Sequence, residues 1–135
     1  MTSAAIIKAS KAIVLLASDI GAIVNIASAS DFGDSIYKSI LEINLSIVRV
    51  ARLAEEISKH PAKSPAKVND ISALADQLAA VVKAFRQFAQ LLDRRKALNP
   101  LMPDSLMSLA SQAVKDANKA TALTALALQK ALAPH

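Results

Sequence analysis

The stretch AIVLLASDIGAIVNIASAS, Ala12–Ser30, is apolar almost throughout yet carries Asp19 near its middle. Three structures could use such a segment: a secretion signal, a membrane span or a helix in a core. Lys8 and Lys11 resemble the basic start of a signal, and Ala27-Ser28-Ala29 resembles a small-residue cleavage site. Asp19 interrupts the apolar region that a signal needs, and Asn25 lies near its end. A bilayer span needs about 20 apolar residues, and an Asp near its centre costs about 2.5–3.5 kcal/mol. The spacing favours the third structure. Ile6, Ala9, Ile13, Leu16, Ile20, Ile23 and Ala27 recur in steps of three and four, so they share one helix face. Lys8, Lys11, Ser18, Asp19 and Asn25 fall opposite. The segment therefore predicts an amphipathic bundle helix with Asp19 on its hydrated side.

The same period recurs three more times. Ile36, Ile40, Ile43, Ile47, Val50, Ala54 and Ile57 form a second stripe, and Ile71, Leu74, Leu78, Val81, Phe85, Phe88 and Leu92 a third. The fourth is weaker: Met107, Ala110, Val114, Ala117, Thr121, Thr124 and Leu128. Its small residues would let a neighbour approach closely, and its threonines can bond carbonyls one turn back. Composition agrees, because 53% of the chain is apolar, only 3% is aromatic and two glycines interrupt it. The apolar mass is thus Ala, Leu, Ile and Val, with strong helix formers prominent.

Breaks fall where chain chemistry demands them. Ser30 and Asp31 can cap a helix, Phe32 can staple its entry, and Gly33 weakens continuity. Pro61 ends the second segment, and Ser64-Pro65 reads as N-cap followed by Pro. Pro100 and Pro103 end the third, with Asp104 or Ser105 available to start the fourth. Helices are predicted over 3–29, 32–60, 65–97 and 104–132. Each is about thirty residues, or about 40–45 Å long at 1.5 Å per residue. Similar lengths and short connections predict a single all-α domain over 1–135, an up-down-up-down antiparallel four-helix bundle. The alternative joins the first two helices and closes the bundle by exchange with another chain; Gly33 argues against it.

Reactive chemistry is sparse. The chain has no cysteine, which excludes disulfides, thiol catalysis and Cys-ligated metals. Glu56 and His60 stand one turn apart, but the interiors lack the carboxylate and Glu-x-x-His set of a di-metal bundle. Glu55 and Glu56 are adjacent and point apart on a helix. His135 is terminal. No serine sits in a nucleophile elbow, and neither Gly21 nor Gly33 forms a phosphate-cradling loop. Gly21 reads instead as a close-packing point. The sequence predicts a non-enzymatic protein with no catalytic residue, cofactor, metal or small-molecule substrate.

The net charge of +5 permits attraction to anions. Its tightest run, Arg94-Arg95-Lys96 after Asp93, lies at a helix end, where cations complement the dipole; an anion contact is the alternative role. No aromatic is interleaved with that run, which disfavours nucleic acid as a partner.

The more informative asymmetry is apolar. Leu15, Ala22 and Ile26 lie on the polar side of the first helix, and Leu109, Leu123 and Leu126 lie beside Lys115, Asp116, Lys119 and Lys130 on the fourth. In an antiparallel bundle these helices are neighbours, so Leu15 should level with Leu123 and Ile26 with Leu109. Helices two and three instead carry ordinary charged faces. An apolar surplus on one face predicts a contact with another protein, a second copy or a helical partner. A membrane surface, met by pore formation or lipid binding, is the alternative occupant. A cytoplasmic location is expected, with export without a cleaved signal as the alternative.

Overall fold

In the computed structural model, which describes residues 4–29, 34–59 and 66–133, the four stripes become four α-helices. They are α1 (Ala4–Ala29), α2 (Asp34–Ser58), α3 (Ala66–Leu98) and α4 (Asp104–Leu132). Every stripe residue of the first three helices is buried. Each such Ile, Leu or Phe contributes roughly 1.5–3 kcal/mol by leaving water. The pairs α1/α2, α2/α3, α3/α4 and α1/α4 pack together, so the helices form a square that closes within one chain. The expected signals at Ser30, Asp31, Phe32, Gly33, His60, Pro61, Ser64-Pro65 and His135 lie outside the described residues.

The fourth helix departs from expectation. Its buried face is Leu106, Ala110, Ala113, Asp116, Ala117, Ala120, Thr124 and Ala127. Met107, Val114 and Leu128 are only half-buried, and Thr121 is exposed. The stripe is rotated because its apolar weight was assigned to the larger side chains, whereas the seam accepts the smaller ones. Alanines let backbones approach, and α4 packs more extensively on α1 than on α3. Thr121 and Thr124 do donate to the carbonyls of Ala117 and Ala120, each at 2.8 Å.

The turn joining α3 to α4 is stitched by polar bonds. Asn99 N–H bonds the Arg95 carbonyl at 2.8 Å, and Leu101 N–H bonds Asn99 Oδ1 at 3.2 Å. Helix α4 starts at Asp104 with Pro103 at the N-cap position, which makes no side-chain cap. Asp104 sits in the first turn instead, where its charge complements the helix dipole. It also pairs with Lys96 Nζ at 3.2 Å.

Gly21 is not the close-packing point its position suggested. A Cβ built there would meet only Asn44 Oδ1, at 3.9 Å, an ordinary contact. Replacing a mid-helix glycine with alanine removes unfolded-state freedom at no steric cost here. Gly21→Ala should stabilise the protein by about 0.5–1 kcal/mol, read as a higher denaturant midpoint with an unchanged slope. A lower midpoint would show that the packing of α1 on α2 has no room for the added methyl.

Candidate interaction surface on the first and last helices

Helices α1 and α4 run antiparallel, and their register follows from their contacts. Lys8, Lys11, Ala12 and Leu15 on α1 meet Lys119 and Leu123 on α4 around a groove of about 330 Å³. One turn further along, Asp19 reaches Asp116. The floor of the groove is apolar, with Leu15 48% exposed and Leu123 half-buried against the core. Its polar lining is three exposed lysines and no carboxylate. Three other clefts differ in charge. Glu42 lines two of them, between α2 and α3, and Asp93 with Lys115 lines one between α3 and α4.

The remaining surface candidates lie on the same two helices. Leu126 is 42% exposed, and Val14, which sequence spacing did not single out, is exposed as well. Ile26 and Leu109 are half-buried against the core, and Ala22 is half-buried. Exposed leucines also occur elsewhere. Leu45 stands out on α2, an exception to the ordinary charged face expected there, and Leu132 on the last turn of α4. Leu98 and Leu101 flank the α3–α4 turn, exposed by 84% and 91%.

Two carboxyls contradict their expected hydration. Asp116 is only 8% exposed, and one of its oxygens accepts from Gln112 Nε2 at 3.1 Å. Asp19 is half-buried, and its Oδ2 lies in the interior without a hydrogen-bond partner. Burial first, then the neighbouring Asp116 through a hydrogen bond and its negative charge, together push the Asp19 carboxyl up from 3.8 to about 7. A carboxylate that loses part of its hydration and faces a second carboxyl is disfavoured, so Asp19 holds its proton up to about pH 7. Wheel geometry missed this pair because it placed each Asp opposite the largest apolar side chains. The alanine seam lies between those two directions.

The basic run divides. Arg94 and Arg95 are exposed, while Lys96 is drawn into the α3–α4 turn. Its ammonium donates to the carbonyls of Pro100 and Met102 and pairs with Asp104. A candidate anion contact there consists of the two arginines, since Lys96 is already satisfied. On the neighbouring seam Arg86 donates to Asn118. Among the described residues no three His, Cys, Asp or Glu side chains converge as metal ligands, and Glu55 and Glu56 are exposed on α2. By length and composition α1 is apolar enough to cross a bilayer, with a mean hydropathy of 1.6 over Ala4–Ser28. Comparison with protein-family models, curated proteins and solved structures finds no match to this chain.

Proposed function

We propose that the protein is a non-enzymatic interaction or assembly module that engages another polypeptide through the α1/α4 face. The carrying observation is the α1/α4 groove, where Leu15 stays half exposed beside Leu123 while the same helices bury isoleucines and alanines fully. Leucine on a helix surface is unremarkable singly, but here Leu15 and Leu123 line one groove between adjoining helices, with Leu126 exposed one turn beyond Leu123. A partner covering them would gain apolar burial without any rearrangement of the bundle.

Replacing Leu15 and Leu123 together with glutamate tests this. The double variant should keep its helical circular dichroism, because neither side chain is among the fully buried residues. It should lose every specific protein association, whether a second copy seen by sedimentation or a chain retained on immobilised protein. Leu45→Glu, on the far side, should retain them. Equal retention by wild type and both variants would rule the α1/α4 face out.

Membrane-surface binding is a second reading with its own observation. Leu98 and Leu101 project from the α3–α4 turn with Arg94 and Arg95 nearby, the combination that apolar insertion beside lipid phosphates requires.

A further inference from the structure

We infer that the α1/α4 groove receives the apolar face of an acidic amphipathic helix from a different chain. The inference rests on the interaction reading above and specifies the partner's chemistry. Lys8 and Lys11 come from α1, and Lys119 from α4, about the leucine floor. The acids next along the seam do not neutralise them. Asp116 is buried and Asp19 is turned inward against it. The groove thus presents apolar surface with positive charge alone.

A second copy fits this charge badly. A two-fold interface brings the same patch against itself, so two grooves would set six ammoniums together with no carboxylate among them. Like-charge juxtaposition in a drying interface is strongly unfavourable. A bilayer fits the shape badly. Leu15 and Leu123 line a concave groove between two helices, which a rod-shaped partner fills more closely than a flat surface. A helix suits both: leucines at steps of three and four fill the floor, and flanking glutamates reach lysines contributed by both bundle helices.

The probe is a synthetic peptide of about 18 residues with a leucine stripe flanked by glutamates, long enough to span the groove at 1.5 Å per residue. Its control carries lysine at each glutamate. Calorimetry on the full chain should show the acidic peptide binding at least about tenfold more tightly than the control, and weakening with salt. In the variant Lys8→Glu/Lys11→Glu/Lys119→Glu the preference should reverse while the helical circular dichroism is retained.

Equal affinity for both peptides would overturn the proposal. So would self-association of the wild-type chain that Leu15→Glu dissolves, although the α1/α4 face would then stand as an interface with a different occupant. Tighter binding to phosphatidylglycerol vesicles than to the acidic peptide, lost in the triple variant, would assign the groove to lipid. Absence of binding to peptide, second copy and vesicle alike would overturn both this inference and the interaction reading.

Discussion

At about pH 8 the Asp19→Asn variant is expected to be more stable than the wild-type protein, by about 1–2 kcal/mol. The sign follows from proton linkage. Asp19 titrates at about 7 in the folded chain against 3.8 as a free side chain, so between those values the folded state holds the extra proton. The stability this proton confers is fully present below 3.8 and is lost as pH rises through about 7. At 1.36 kcal/mol per pH unit the whole interval corresponds to about 4 kcal/mol. Water reaches one side of Asp19, which screens the effect and lowers the expected figure to the range given. Asparagine keeps the donor that faces Asp116 but cannot ionise.

Wild-type melting should therefore fall by about 5–10 °C from pH 5 to pH 8, while the variant's stays nearly level. Asp116→Asn should flatten the profile only in part, because it removes the opposing charge but leaves the burial that is the larger cause. A wild-type protein that gained stability over that interval, or an asparagine variant weaker at every pH, would contradict a proton held by folded Asp19.

The second large effect lies on the opposite side of the molecule. Phe85 is fully buried on α3, its ring centroid 6.0 Å from that of Phe88 and tilted by 37°. With only three phenylalanines and no tryptophan, the core owes an unusual share of its filling to this one ring. Phe85→Ala removes its transfer free energy and leaves a cavity that helices held on both flanks cannot collapse around. The expected loss is about 3–5 kcal/mol, a large part of the 5–15 kcal/mol typical of a domain. Thermal unfolding should shift down by about 10–20 °C. A loss below about 1 kcal/mol would mean that α2 and α3 repack freely.

That contrast separates what holds the bundle from what its surface does. Leu15 and Leu126 can be changed at little expense to the fold, whereas Phe85 cannot. The Gly21 site lies between these extremes.

Long stripes of isoleucine, leucine and phenylalanine were legible in the sequence because only one face of each helix could bury them. All the stripe positions of α1, α2 and α3 lie in the core for that reason. The helix-breaking chemistry around Pro100 and Pro103 was legible as well. Helix α4 was harder, since alanine carries little hydrophobic contrast and its seam is selected by how closely α1 approaches. Ala113, Ala120 and Ala127 were consequently overlooked in favour of Val114, Thr121 and Leu128. Asp19 and Asp116 were placed in solvent for the same reason. A charge that faces its equal across a seam leaves no periodic trace in one helix; only the register between two helices exposes it. The role of Lys96 in the turn depended likewise on a contact between elements, with Asp104 and two carbonyls.

Leucine methyl resonances, followed while the glutamate-flanked peptide is added, report which face binds, because exposed leucines sit on several faces of this bundle. Use of the α1/α4 face predicts shifts at Leu15, Leu123 and Leu126, with Leu45, Leu98 and Leu101 unmoved. Shifts confined to Leu45, or to Leu98 and Leu101, would place binding on another face and exclude the α1/α4 groove.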